Sequence, residues 1–383
     1  MKLKYCVKCV LPDSKPDLHF NEEGVCAACQ AYAARTEVDW EARKNEFLEI
    51  VDKYKDRTNK SWDCIVPVSG GKDSTFQVLK MLELGLRPLC VTATTCDLSE
   101  VGLKNIENIK NLGVDHITFS PNPVIRKKLN RIGLEEVGDI SWPEHVGIFT
   151  IPVRVAVQYN IPLIVWGENS QNEYGGPDAA TTSKVLDRRW LEEFGGLLGM
   201  RVSDLMETRG ISSGDLAPYT YPEAEDLERV GVTGLFLGQF FPWDGMTNAL
   251  VAQANGFQTT GSVVEGSMVD YENIDNYQVG IHDYFKFLKF GFGRATDIAS
   301  LHVRRGRLTR DQAMDIVRRL DGRFPWTYLG KPLEEILAPI RISVDEFMAI
   351  CDRFTNESLF IQNKDGSLAR DPEGNLTKVS YDN

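Results

Sequence analysis

Val66-Pro67-Val68-Ser69-Gly70-Gly71-Lys72-Asp73-Ser74 is the stretch on which the fold turns. Cys64, Ile65, Val66 and Val68 make an apolar run of strand length, and from Asp73 to Leu84 the apolar residues Phe76, Leu79, Met81 and Leu82 recur at helical spacing. A strand therefore passes through a short turn into a helix. Gly70 and Gly71 lack the Cβ that would block close approach, so successive backbone N–H groups can converge on one anion at the helix N-terminus. Lys72 adds a positive charge, and Ser69 and Ser74 add hydroxyl donors. The turn suits phosphate. It is not a Walker-type loop, which would need Gly in place of Val66 and Ser or Thr in place of Asp73. An acidic residue inside such a cradle makes sense if Asp73 holds Mg²⁺, which offsets its repulsion from the phosphates. An ordinary glycine turn before a helix is the plainer alternative, but strand, loop and helix all fall where phosphate binding needs them.

The chain has 383 residues, 42% hydrophobic and 26% charged, which predicts a globular protein of two or three domains. A net charge of −12 argues against a long nucleic-acid footprint, which needs a basic face. No apolar run approaches a membrane span and no leader-like stretch opens the chain, so the expectation is a cytoplasmic protein without membrane or nucleic-acid partners. Four of the eight cysteines stand as Cys6-x-x-Cys9 and Cys26-x-x-Cys29, sixteen residues apart. Each pair can put two thiolates on one side of a tight turn, and together they make a closed S₄ site for structural Zn²⁺. A redox Cys-x-x-Cys is the rival reading. Cys64 and Cys90 fall in apolar strands as core residues.

Residues 1–32 read as the zinc knuckle and 33–62 as a linker carrying a helix near 38–57. From 63 to 300 strands near 63–68, 89–95, 115–120 and 162–166 alternate with helices near 73–84, 99–112 and 147–159. That alternation predicts an α/β fold, a parallel sheet with helices on both faces. Ser99 is the expected N-cap of one helix and Gly113 its stop. Ligands of such sheets lie outside the carboxyl ends of the strands, here Val68 onward, Ala93–Thr95 and Trp166 onward. The last of these enters Gly167-Glu168-Asn169-Ser170-Gln171-Asn172-Glu173-Tyr174-Gly175-Gly176-Pro177, where two carboxylates and a glycine turn approach the loop. A helical insertion is expected at about 178–230, an aromatic segment with Trp243 that lines a sugar pocket or the core, a helical region over 301–383 with Thr309 capping a helix to Leu320, and a mobile polar tail over the last fifteen residues. Lys289, Arg294, Arg304, Arg305 and Arg307 are candidate clamps for phosphates or a carboxylate, with a solvated basic face as the alternative.

The Ser69–Ser74 loop resembles that of the ATP pyrophosphatase (PP-loop) superfamily, of the adenine nucleotide alpha hydrolase-like fold, whose members cleave ATP between the α- and β-phosphates. With the knuckle, Asn172–Pro177 and Lys289–Asp297, nearly the whole chain resembles the N-acetyl sugar amidotransferases of bacterial lipopolysaccharide O-antigen and nonulosonic-acid biosynthesis. The resemblance implies an ATP-dependent conversion of an acetamido group on a nucleotide-activated sugar to an acetamidino group. It implies ATP at Val68, Ser69, Gly70, Gly71, Lys72, Asp73, Ser74, Ala93 and Gly167, and Mg²⁺ at Asp73 and Glu173. Lys72, Lys289 and Arg294 would stabilise the departing pyrophosphate, and Tyr174, Gly175, Trp243 and Arg304 would contact the sugar. The chain has no Gly-x-Cys-x-Gly elbow, and its second residue is a lysine rather than a cysteine that could become an N-terminal nucleophile, so ammonia is expected from a separate glutaminase subunit paired with a cyclase-like barrel protein. A tRNA thiolation enzyme and a non-catalytic ATP- or zinc-binding scaffold are the rival functions.

Overall fold

The layers follow from the two-residue repeat of the first strand, β1 (Cys64–Pro67). Cys64 and Val66 enter one apolar cluster and Ile65 another, and all three are fully buried. The structure, a computed structural model, describes residues 3–55, 61–168, 185–186, 199–205 and 209–379. Five strands, β1, β2 (Pro88–Ala93), β3 (Asp115–Phe119), β4 (Leu163–Trp166) and, beyond a two-residue β5 (Val185–Leu186), β6 (Thr233–Phe236), form a parallel sheet. Their order is β3-β2-β1-β4-β6, with β5 antiparallel at the edge.

Helices cover both faces. Helix α2 (Trp40–Tyr54), which follows α1 (Ala27–Ala34), sets Phe47 and Val51 against one face, and α3 (Lys72–Glu83) adds Val78 and Met81. Helix α4 (Glu100–Asn111) follows β2; the Ser99 hydroxyl caps it by accepting from Gly102 N at 2.8 Å, and Gly113 turns the chain away at φ +83°. Helix α5 (Pro123–Val137) was not among the helices read from apolar spacing; it starts at an Asn122 cap and stops at left-handed Gly138. Helix α6 (Trp142–Tyr159) begins earlier than the expected 147 and lays Ile151, Val153 and Ala156 against Ile65, Leu89 and Ile164 on the opposite face.

The later helices are Val279–Phe290, Arg294–Arg304, Arg310–Leu320 and Val344–Phe354; the first and last pack round an aromatic core of Phe285, Phe287, Phe324, Tyr328 and Phe347, and the middle two meet through Ala299, Ala313 and Val317. Thr309 caps the third of these in a reciprocal pair with Gln312. Phe285 and Phe287, before residue 300, share this core with Phe324 and Phe347, after it. The described part of the tail is paired: Trp326 Nε1 donates to Glu373 O at 2.6 Å, Phe324 N to Asn375 Oδ1 at 2.7 Å and Ile361 N to Thr377 O at 2.8 Å. Of the expected 178–230 insertion, residues 178–184, 187–198 and 206–208 lie outside the described residues, and the described part carries short helices at Ser213–Leu216 and Ala224–Val230. Among the described residues no helix is long and apolar enough to cross a membrane.

The packing of α2 gives a direct test. Phe47 is fully buried and its ring meets Phe240 at 5.3 Å and Phe241 at 5.4 Å. Phe47→Ala is expected to cost about 3–5 kcal/mol in a urea unfolding experiment; a loss below about 1 kcal/mol would remove α2 from the core.

Candidate functional site

The loop after β1 is built by two close approaches. Gly71 caps α3 without a side chain, which leaves the first-turn amides without a side-chain acceptor. Gly70 has φ +82°, and a Cβ there would lie 2.6 Å from Ile106 N in α4, so both conformation and space require glycine. The hydroxyls of Ser74 and Thr75 each donate to Gly71 O at 3.0 Å, and Gly71 N donates to Ser69 Oγ at 3.2 Å. These bonds hold the turn tight.

Lys72 is buried. Its Nζ lies 2.5 Å from Asp73 Oδ2 and 2.6 Å from Glu272 Oε1. Burial alone would lower its pKa, but the Asp73 and Glu272 carboxylates hold it well above the usual lysine range, so the ammonium stays charged. Asp73 Oδ1 accepts from Asn248 Nδ2 at 2.8 Å. Glu272 and Asn248 carry no sequence signal: they lie far along the chain in segments without a motif, and only folding brings them to the loop.

Two adjoining cavities open here. One, of about 460 Å³, is lined by Val68, Ser69, Ala93, Trp166 and Gly167 among others, so the three strand ends singled out above meet in it. Phe149, Pro152 and Phe236 supply an apolar wall that can take a nucleobase. The other, of about 160 Å³, is lined by Ser69 to Ser74 with Tyr271, Glu272 and Asp275, and can take phosphates. Both sit where the strand order reverses between β1 and β4, the usual place for a ligand in such sheets. The 271–276 segment is tied over the loop, since Ser99 N donates to Asp275 O at 2.9 Å and a Cβ on Gly102 would meet that same oxygen at 2.3 Å.

Several expected contacts are not brought to these cavities. Lys289 Nζ donates to Val137 O at 2.6 Å and Gly138 O at 3.0 Å, closing the end of α5. Arg294 pairs with Asp283 at 3.0 Å and borders a separate cavity. Nearer carbonyls and carboxylates claim both cations, so neither is placed as a pyrophosphate clamp. Trp243 packs edge-on against Phe76 at 5.5 Å and beneath Gly167, making it a core wedge rather than a sugar contact. Arg304 Nη1 faces Cys9 Sγ at 3.9 Å, at the knuckle. Arg305 and Arg307 bracket Asp244; burial would raise that carboxyl, but Arg307, Thr247 and Arg305 hold it down to about 2. Glu173, Tyr174 and Gly175 lie outside the described residues.

The four knuckle cysteines are buried and converge, with Cys6 Sγ 3.9 Å from Cys29 Sγ and Cys9 Sγ 3.7 Å from Cys26 Sγ. Zn–S bonds of about 2.3 Å in a tetrahedron place sulfurs about 3.8 Å apart. The set therefore fits zinc. Amides of Lys8, Cys9 and Cys26 point at Cys6 Sγ at 3.4, 3.5 and 3.3 Å, and hydrogen bonds from the Cys26, Cys29 and Cys9 thiols lower the Cys6 pKa, favouring the thiolate.

Residues 265–371 match the family described as "LPS biosynthesis protein WbpG-like, C-terminal domain". The match contains Glu272, Lys289 and Arg294. Similar solved structures include NMN synthetase from Francisella tularensis, at 15% identity and TM-score 0.26 over 51% of this chain and 92% of that one. Another is the NH3-dependent NAD synthetase from Campylobacter jejuni subsp. jejuni NCTC 11168 in complex with the nitrate ion, at 10% identity and TM-score 0.29 over 58% and 98%. None of the curated proteins matches.

Gly70→Ala is expected to lower ATP affinity by at least ~10-fold in calorimetry, because a left-handed Ala costs about 1–2 kcal/mol before the contact with α4 is relieved. Unchanged affinity would place the phosphates elsewhere. For the knuckle, Cys9→Ser should release zinc and lower the melting temperature by several degrees; a variant that keeps full zinc content would exclude the S₄ assignment.

Proposed function

We propose that the protein is an ATP-dependent N-acetyl sugar amidotransferase acting in bacterial surface polysaccharide synthesis. The observation that carries the reading is the glycine cradle opening, at the carboxyl ends of β1, β2 and β4, into a cavity large enough for a nucleotide. An amide carbonyl is a poor electrophile and its oxygen a poor leaving group. In the proposed reaction the acetamido oxygen attacks the α-phosphate, the bond to the bridging oxygen breaks and pyrophosphate leaves. Ammonia then adds to the imidate carbon, loses a proton, and the C–O bond breaks to release AMP and the acetamidino product.

The first-turn amides of α3, Ser69 and Ser74 orient the phosphates, and Lys72 neutralises charge on the departing pyrophosphate. Asp73 and Glu173 are assigned to Mg²⁺, which supplies charge neutralisation when bound. Glu272 shares Lys72 with Asp73 and so ties the 271–276 segment to the loop. Trp243, Arg304, Lys289 and Arg294 take no direct part in this proposal.

All eight cysteines are buried, and none lines either loop cavity. Burial raises the pKa of Cys64, Cys90, Cys96 and Cys351, which argues against a sulfur-transfer enzyme and against an internal glutaminase nucleophile. The ammonia source in this proposal is a separate glutaminase subunit with a cyclase-like barrel protein. The lipopolysaccharide role is supported by the description of the matched family.

Mass spectrometry of acetamido nucleotide sugars incubated with ATP, Mg²⁺ and ammonia tests the reading: the product should show oxygen replaced by NH, with AMP formed. Asp73→Asn is expected to cut the rate by about 10²–10³-fold in a folded protein. ADP in place of AMP, or full activity of the variant, would reject the mechanism.

A further inference from the structure

Beneath the larger cavity lies a cluster that the proposed reaction does not use. Asp139, in the turn between α5 and α6, is almost fully buried, and its Oδ1 lies 2.8 Å from His282 Nδ1 in the helix Val279–Phe290. His145, in the first turn of α6, places Nδ1 3.1 Å from the other oxygen, Oδ2. The two imidazoles meet edge to face with centroids 4.9 Å apart, and one donor atom from each of the three residues lies within 4.8 Å of the others. His145 also forms part of the cavity wall.

An Asp–His ion pair network is the simpler account, and His282 fits it. His145 fits it less well: its Nδ1 and Asp139 Oδ2, 3.1 Å apart and both shut off from solvent, lack the alignment of a hydrogen bond. Two buried polar atoms thus face each other beside His282, close enough together for all three side chains to share one cation. We propose that Asp139, His145 and His282 bind a divalent transition metal of the zinc class at the joint between α6 and the WbpG-like region. Two imidazole nitrogens and one carboxylate oxygen suit such an ion.

The surroundings are those of a held ligand set. Lys289 grips the Val137 and Gly138 carbonyls immediately before Asp139, and Ser141 N donates to Asp139 Oδ1 at 2.9 Å. A Cβ on Gly133 would lie 2.5 Å from Asp139 O, so the turn is pressed onto α5. Beside His282, Asp283 accepts from Arg294 at 3.0 Å and from Asn273 at 2.7 Å. Outer partners of this kind orient metal ligands, and they give Lys289 and Arg294 a function away from the phosphates. One ion here would clasp the helix Val279–Phe290 to α6 and fix the His145 side of the cavity.

The site stands without the amidotransferase reading, because it is tested on the resting protein. The full chain, titrated with Co²⁺ alone, is expected to take up about two equivalents. One should give thiolate charge-transfer bands from the knuckle, the other only weak visible bands from nitrogen and oxygen donors. His282→Gln and His145→Gln should each lose the second class and keep the thiolate bands, and Cys9→Ser should do the reverse. Uptake of about one equivalent with thiolate bands alone, or a second class unchanged in both histidine variants, overturns the proposal. Should one variant fail to fold, the other and the wild-type spectrum still decide it. Failure to form an acetamidino product would leave the metal count untouched.

Discussion

A buried ammonium organises this protein. Lys72 lies out of solvent, where an unpaired charge would be untenable, and it is stable only because two carboxylates reach it. Asp73 comes from the same turn, and Glu272 from a segment two hundred positions later, so the cradle cannot be completed by the sheet domain alone. Asn248 adds a third piece by holding the free oxygen of Asp73. The Ser69–Ser74 turn is thus a junction between three parts of the chain, and its shape depends on all of them.

The backbone contacts around the junction are equally demanding. Gly70 against α4 and Gly102 against Asp275 leave no room for a methyl group, so α4 is clamped between the loop and the 271–276 segment. The knuckle reinforces the same region from outside. Arg310 Nε donates to Cys6 O at 3.1 Å, Ser14 Oγ donates to Phe290 O at 2.5 Å, and Val10 packs with Ala299, Ala313 and Val317. The first thirty residues therefore sit on the helices that follow the 271–276 segment.

The readable parts of the site are those made by neighbours in the chain. The Ser69–Ser74 turn, the strand ends at Ala93 and Gly167, and the Cys6/Cys9 and Cys26/Cys29 pairs each depend on spacing over a few residues, and the structure places them where that spacing implies. Lys289, Arg294 and Arg304 were legible as cations but not as to their partners. A flexible charged side chain takes whichever buried acceptor lies nearest, and those acceptors, Val137 O, Asp283 and Cys9 Sγ, come from remote segments. Helix α5 and the paired tail escaped for a related reason, since caps and backbone bridges do more to define them than apolar rhythm.

By itself the amino-acid order determined the doubly covered parallel sheet, the glycine turn between strand and helix and the four-thiol knuckle, because alternation, helical period and glycine or cysteine spacing act locally. Tertiary structure alone decided that Glu272 and Asn248 complete the turn, that Trp243 is a wedge, and that Asp139, His145 and His282 meet. Such encounters are set by how layers pack and which groups are desolvated together, and no pattern along the chain records them.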